Sequence, residues 1–278
     1  MTSPADDPRF ANLKDPRRIW TVSAIYGDRE KLADIHEEIA RNFKPGDRVV
    51  YFGNYTGGDA DGSAAHSAVQ TIDDLLGFRK YLLAQEGVQC GDIVYLRGVQ
   101  EEIWQKLLQL QFARDPSGVF EWMIEHGIAQ SLCDYGGNIE EARRVCREGI
   151  LSLTKWTNSL RQNLRRHPGH SEFMAALRRA AFTTGNTPLL FVHAGIDPEK
   201  PLAQQQDSFW WKGKKFNDIR TAYDPFSYVI RGYDPNAQGV KVNGVTMTLD
   251  GTTAEMDSLP ITCGLLSGQG ELLDLMTA

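Results

Sequence analysis

The sequence predicts an α/β protein built around parallel strands. Three short runs, residues 20–26, 48–52 and 92–96, are rich in the β-branched and aromatic residues that suit buried strands. Two segments with apolar residues at helical spacing separate these runs. Alternation of strand and helix implies parallel strands joined by helical crossovers, so the three loops that follow the strands should meet at one edge of the sheet.

Length and composition indicate one soluble domain. The chain has 278 residues, of which 41% are hydrophobic, and a formal net charge of −6, which argues against a nucleic-acid surface. No apolar run approaches the roughly 20 residues of a membrane span, so we expect no membrane partner. Residues 1–18 contain no apolar segment of the kind found in signal peptides, and the four cysteines show no C-x-x-C spacing, which favours a cytoplasmic protein. We predict a flexible tail at 1–18 and a single domain at 19–278.

Boundary residues support the prediction of the first strand and the first helix. Gly27 breaks the strand at 20–26, and Asp28 is a good N-cap for a helix over 29–43. Leu32, Ile35 and Ile39 lie on one apolar face of that helix. A turn at 44–47 leads into the second strand, and a loop rich in glycine and aspartate precedes a helix that ends near Leu83. Asp59 and Asp61 in this loop resemble part of a calcium loop, but without a following glutamate we interpret them as a turn.

After the third strand, helical patterns dominate residues 101–182. Apolar spacing predicts helices over 101–112, 120–124, 151–164 and 171–181. The arginines between Arg161 and Arg179 are interpreted as a solvated helix face. Further along, the run Phe209, Trp210 and Trp211 is followed by three lysines, and we expect an exposed lip of aromatic and lysine side chains there, suited to ligand or partner binding. The lysines are Lys212, Lys214 and Lys215.

Two segments carry a resemblance to a known family. The stretch 96–102 reads Leu-Arg-Gly-Val-Gln-Glu-Glu, and residues 192–195 read Val-His-Ala-Gly. The chain thereby resembles the metallophosphoesterases (calcineurin-like), in the bacterial branch of the serine/threonine phosphoprotein phosphatases. This resemblance implies a four-layer α/β/β/α sandwich, in which two mixed β-sheets are flanked by helices, with a helical cap region at about 101–182.

The resemblance extends to the scaffold but not to the metal ligands of the family. In the alignment, the metal-binding Asp and His of the first motif become Ala24 and Tyr26, and the bridging Asp of the second becomes Asn54. The family's Asp-Arg pair becomes Gly57 and Gly58. The Asn and His of the third motif become Val99 and Gln100. His193 keeps the ligand position of the fourth motif, while Arg231 and Tyr233 stand where bacterial members have His-Gly-His.

These replacements predict a pseudophosphatase with no catalytic residues, no metal ligands and no cofactor. Of the six protein ligands that the resemblance implies, only His193 remains, and a lone imidazole does not hold a pair of cations. Without a metal there is no activated water, because unbound water has a pKa near ~15.7 rather than near ~7. The alternative is a residual or rebuilt phosphoesterase with two divalent metals of the Mn, Fe or Zn type. It would place Asp28 on the first motif, with Glu30 in the histidine position.

A cleft without metals could still bind a ligand. Arg97, Arg231 and His193 would attract a phosphate or carboxylate through charge-assisted hydrogen bonds. We therefore expect the former active-site cleft to bind a phosphorylated small molecule, a phosphoprotein or another protein partner. Two other interpretations stay open: His193 as a hydrogen-bonded structural residue and Arg97 as an ion-pair partner. The predicted ligand-binding residues are Arg97, His193, Arg231, Asn54, Gln100, Tyr26 and Tyr233.

Overall fold

The structure is a computed structural model that describes residues 4–57, 66–256 and 258–278. Its described strands form two mixed sheets that pack face to face. The strands are β1 (Phe10–Asn12), β2 (Arg18–Val22), β3 (Arg48–Tyr51), β4 (Ile93–Tyr95), β5 (Ala180–Phe182), β6 (Leu189–Val192), β7 (Tyr228–Arg231), β8 (Lys241–Asn243), β9 (Thr246–Thr248), β10 (Thr262–Ser267) and β11 (Leu272–Thr277).

The first sheet contains the predicted parallel unit. Its order is β11-β10-β2-β3-β4, with β2, β3 and β4 parallel and β10 antiparallel to both of its neighbours. The second sheet has the order β1-β5-β6-β7-β9-β8, with β6, β7 and β9 parallel. The carboxyl ends of β2, β3, β4, β6 and β7 carry all the segments that the sequence analysis aligned to family motifs.

Alternation along the strands explains the layers. Ile19 and Val50 pack with residues of the second sheet such as Phe191 and form the core between the sheets. Their neighbours Trp20 and Val49 point to the opposite face and pack in the cluster that includes the apolar side of the first helix. Because adjacent strand residues point to opposite faces, strands that are buried on both sides need helices on the outside.

Most predicted helices begin and end close to their expected positions, but two are shorter. The helix expected over 101–112 ends at Leu107 and is followed by a separate 3₁₀ turn at Leu110–Phe112. Asp28 caps the first helix by accepting a hydrogen bond from Lys31 N at 3.1 Å, as its N-cap prediction requires. The helix expected over 171–181 ends at Ala176 instead, because Leu177 is extended and the next residues enter β5, where both faces are buried. The helices are α1 (Arg29–Asn42), α2 (Ala68–Leu83), α3 (Val99–Leu107), α4 (Pro116–Glu125), α5 (Ala129–Asp134), α6 (Ile139–Glu148), α7 (Ile150–Arg165), α8 (His170–Ala176) and α9 (Ser208–Trp211).

Part of the segment predicted as a flexible tail is a strand. Residues of β1 pair in parallel with β5, and Phe10 and Leu13 are buried. Two apolar side chains in a polar segment thus place it at the edge of the second sheet. Elsewhere, Cys90 and Cys133 are exposed and Cys146 and Cys263 are buried, all as free thiols. Within the described residues, none of the helices is both long enough and apolar enough to cross a membrane.

Candidate ligand-binding cleft

A cleft of about 500 Å³ opens where the loops after β2, β3 and β4 meet. Its floor is formed by Tyr26, Asn54 and Gln100, together with Tyr233 from the loop after β7. The prediction that these loops lie together at one edge of the sheet is therefore confirmed. The cap helix α4 and the short helix α9 supply the walls, which include His126, Trp211 and Lys214.

The first two loops are joined by a polar contact at the floor of the cleft. Tyr26 and Asn54 both have left-handed backbone conformations, with φ of 52° and 55°, which are uncommon outside glycine. The backbone N–H groups of Ile25 and Tyr26 donate to the Asn54 carbonyl oxygen, and Asn54 Nδ2 donates to the Tyr26 hydroxyl at 2.8 Å. Burial raises the pKa of Tyr26 well above its usual value, and the neighbouring Tyr233 acts in the same direction.

The carboxylate of Glu101 ties the second loop to the start of α3. It accepts backbone N–H groups of Gly98 and Asn54 at 2.9 Å each and of Tyr55 at 2.8 Å. Gln100 N donates to Asn54 Oδ1 at 3.1 Å. Burial raises the pKa of Glu101, and the three N–H groups act in the opposite direction by favouring the ionised form. Both polar atoms of the Asn54 side chain are thus used inside the protein.

His193 lies behind this floor and is fully buried. Its Nδ1 is 2.7 Å from the carbonyl oxygen of Phe52, and its Nε2 accepts from Val99 N at 3.3 Å. The ring stacks on Tyr233 at a centroid distance of 5.0 Å. Burial lowers the pKa of His193 to about 4, so the imidazole is neutral at neutral pH with its proton on Nδ1. The arrangement matches the structural interpretation of His193, and the residue does not line the cleft.

Gln100 differs from the other polar residues of the floor because one of its atoms has no partner. Nε2 donates to the His126 carbonyl oxygen at 2.8 Å, which fixes the orientation of the amide. Oε1 is buried and, within the described part of the chain, accepts no hydrogen bond. Gly57 lies directly against this amide, and a Cβ atom at that position would overlap with Oε1. The cleft lining therefore contains a buried acceptor that has no partner among the described residues.

The structure corrects the prediction that Arg97 and Arg231 form an anion site in the cleft. Arg231 is fully buried; it donates to Thr248 Oγ1 and to the Gly213 carbonyl oxygen, and it forms an ion pair with Asp234 at 2.9 Å. Arg97 has one ion-pair contact, to Glu102 at 3.4 Å, and lies outside the cleft. Neither guanidinium faces the cleft, because the position at a strand end does not decide the side to which a long side chain turns.

The expected aromatic lip is only partly exposed. Phe209 and Trp210 are 1% and 3% exposed, because they lie in α9 and pack into the core, whereas Trp211 is 38% exposed. Trp211 packs edge-on against Trp122 of α4, at 5.7 Å between ring centroids, and Trp122 stacks on His126 at 4.1 Å. Neither His126, which lines the cleft, nor Trp122, which stacks on it, could be assigned to this site from the sequence, because helical spacing does not say which loop the cap helix meets.

Comparisons with known proteins are consistent with this architecture. No protein-family model matches the chain, and no curated protein sequence matches it. A crystal structure described as "a putative diadenosine tetraphosphatase" superposes with a TM-score of 0.50 at 14% identity, covering 97% of this chain and 96% of the other. This chain has the metallophosphoesterase fold. A serine/threonine phosphatase from Saccharomyces cerevisiae with similarity to human PP5 gives 13% identity and a TM-score of 0.47, covering 99% of this chain and 84% of that one.

The metallophosphoesterase fold implies a pair of metal ions, and the residues at the corresponding strand ends do not fit such a pair. Ala24 and Val99 have no ligand atom. No group of three or more His, Cys, Asp or Glu side chains converges within residues 4–57, 66–256 and 258–278. Asp28, the ligand of the alternative alignment, is used as the α1 N-cap and pairs with Lys31, and Glu30 lines a separate groove between α1 and α2. Gly58, Asp59 and Asp61 lie outside the described residues.

Proposed function

We propose that this chain is a pseudophosphatase, a non-catalytic protein with the metallophosphoesterase fold, whose former active-site cleft binds a segment of a protein partner. The absence of catalysis is proposed because the polar residues at the floor of the cleft are hydrogen-bonded to one another or to the backbone. Asn54 is bonded to Tyr26 and to Gln100 N, and both His193 nitrogens have backbone partners. A metal or a nucleophilic water would have to break these contacts without a carboxylate to replace them.

A protein segment suits the cleft better than a phosphorylated ligand does. The two arginines expected to hold phosphate face other parts of the protein, and the described charged residues that line the cleft are Lys214 and Glu125, which offset each other. Gln100 Oε1 has no partner among the described residues, and a peptide N–H could satisfy it once the amide side chain turns toward the cleft. Trp211 lines the cleft and is 38% exposed, and Trp122, which packs against it, is 36% exposed. Tryptophan is enriched among the residues that dominate the binding energy at interfaces.

The absence of catalysis is tested by metal content and turnover together. The purified protein is incubated with Mn²⁺, freed of unbound metal, analysed by mass spectrometry and assayed with an aryl phosphate. We expect no stoichiometric manganese and no hydrolysis above a metal-only control. Two bound metals per chain, with hydrolysis that His193→Asn abolishes, would overturn the proposal in favour of a metal-dependent phosphoesterase.

Binding through the cleft is tested with a displayed library of random peptides. Selected peptides should lose affinity for Gln100→Leu, which removes the unpartnered acceptor, and for Trp211→Ala, which removes the aromatic wall. Phe112→Ala is the matched control, because Phe112 is 76% exposed and does not line the cleft. Peptides that bind all three variants equally would show that the cleft is not the binding surface.

A further inference from the structure

A second cavity, of about 410 Å³, lies beneath the helical cap between α3, α7 and α8. It shares no described lining residue with the cleft. Trp104 and Leu108 line it from α3 and its C-cap, Arg161, Leu164 and Arg165 from α7, and Met174 from α8. Arg97, predicted from the sequence to bind an anion, points toward this cavity instead of the cleft.

Three arginines line the second cavity and have few internal partners; Arg97 and Arg161 are partly buried and Arg165 is exposed. Arg97 has a single contact, the 3.4 Å pair with Glu102, although it is mostly buried. Arg161 donates to the Leu108 carbonyl oxygen and to Asn158 Oδ1. Arg165, one helical turn further on, forms no hydrogen bond or ion pair with any described residue. Since a guanidinium has five N–H donors, most of these donors are free for a ligand.

A fourth donor, on Trp104, has no acceptor. Trp104 is 3% exposed, and its indole Nε1 is buried without a hydrogen-bond partner in the described part of the chain. An indole nitrogen is only a donor, so nothing but an acceptor can satisfy it. Native proteins rarely leave such a group unpaired, and an unmade hydrogen bond of this kind points to a ligand that supplies the acceptor.

The opposing charge at this cavity is weak. Glu101 is the acidic residue among the described lining residues, and its two oxygens already accept three backbone N–H groups. The remaining wall is apolar and includes Leu108, Leu164, Met174 and Leu177. The cavity thus has arginine N–H donors on one side and an apolar wall on the other. The wall could contact a small organic group.

We propose that the second cavity binds a small organic oxyanion, a phosphate monoester or a carboxylate with an apolar body. The oxyanion would accept hydrogen bonds from Arg97, Arg165 and Trp104 Nε1, and the apolar body would contact the leucines and Met174. Guanidinium groups match both head groups through paired N–H donors. This assignment is independent of what the cleft binds.

Calorimetric titration of the full chain tests the proposal with phenyl phosphate, benzoate and inorganic phosphate as probes. We expect one site per chain for phenyl phosphate or benzoate, with inorganic phosphate weaker because it lacks the apolar body. Arg165→Gln should weaken binding about tenfold, the loss expected for one charge-assisted hydrogen bond. Arg166→Gln is the matched control, since Arg166 is adjacent and exposed like Arg165 but is absent from the cavity lining. Equal effects of the two variants, or no binding by either organic probe, would overturn the assignment.

Indole resonances distinguish the second cavity from the cleft. In a ¹H–¹⁵N spectrum of the wild-type chain, the Trp104 Nε1–H signal should move on addition of the probe, while the Trp211 signal should not. Trp104→Phe should weaken binding by a similar factor, and the wild-type spectrum still decides if that variant fails to fold. Movement of the Trp211 signal alone would place the probe in the cleft and refute the second site.

Discussion

The Asn54 side chain donates to the Tyr26 hydroxyl at 2.8 Å across the ends of β2 and β3. Each residue has a positive φ, so each strand ends in a sharp turn that brings these two side chains together. Strained conformations persist where surrounding contacts determine them. In this protein the contacts are hydrogen bonds among Tyr26, Asn54 and Gln100, at the position where the metallophosphoesterase fold implies metal ions. The strain at these strand ends is thus maintained by protein contacts.

Tyr26→Phe should destabilise the fold, because it removes the acceptor of Asn54 Nδ2. The expected loss is about 1–3 kcal/mol of unfolding free energy, the cost of leaving a buried polar group unsatisfied. Urea unfolding followed by circular dichroism measures it. Tyr81→Phe is the matched control, because Tyr81 is 47% exposed and should give almost no change. Equal stability of the two variants would mean that the Asn54–Tyr26 contact contributes little.

Gly57→Ala should also be destabilising, for two separable reasons. Gly57 has φ of +86°, and an added Cβ would overlap with the Gln100 amide. Gly46→Ala is a control for the first reason alone, since Gly46 has φ of +92° and nothing within 4 Å. We expect Gly46→Ala to lower the free energy of unfolding by about 1 kcal/mol. Gly57→Ala should lower it by about 1–3 kcal/mol more, the usual range for overpacking a filled site. If Gln100→Ala in the Gly57→Ala background restores none of this difference, the overlap is not its cause.

The order of elements was predictable because it rests on local patterns. Alternating strands and amphipathic helices fixed β2, α1, β3, α2 and β4 to within a few residues, and Asp28 as N-cap follows from residue type and position alone. The strand at β5 was missed because Ala180–Phe182 is too short for a pattern to separate it from the preceding helix. Such short strands are determined by the partners on either side, here β1 and β6.

Side-chain direction in the site was less predictable. Tyr26, Asn54, Gln100 and Tyr233 do line the cleft, since each lies in the first turn after a strand. Arg231 is the last residue of β7 and turns into the interior, where Thr248, Gly213 and Asp234 satisfy it. The arginine-lined cavity under the cap depends on how three helices pack together, and sequence spacing within each helix does not encode that arrangement.

Glu101→Gln tests the link between the second loop and α3. The Glu101 carboxylate accepts three backbone N–H groups, and an amide would direct its own N–H₂ group at one or more of them. We expect a loss on the order of 2–4 kcal/mol of unfolding free energy, because hydrogen bonds to a charged acceptor are the stronger kind. Glu125→Gln, at an exposed residue of the cleft wall, should be near neutral. Unchanged stability of Glu101→Gln would show that Glu101 is protonated in the native state.

Stability should fall as the pH is lowered from 7 to 5, owing to buried histidines whose pKa burial lowers, among them His193, His36 and His170. Burial lowers the pKa of His193 to about 4 and that of His36 to about 3. Between these values and the ordinary ~6.5, the unfolded chain binds protons that the native state does not, so acid favours unfolding. Lowering the pH from 7 to 5 should reduce the free energy of unfolding by about 2 kcal/mol for each of His193 and His36.

The measurement is urea unfolding at pH 7 and pH 5, combined with an NMR titration of the imidazole protons. His193→Asn should remove part of the pH dependence, because His36 and His170 remain, while His126→Gln at an exposed position should leave it intact. The imidazole signals of His193 should show no protonation at pH 5. A His193 titration midpoint near 6.5 would mean that its ring exchanges with solvent, and that the floor of the cleft is open enough to admit a ligand or a cation to Nε2.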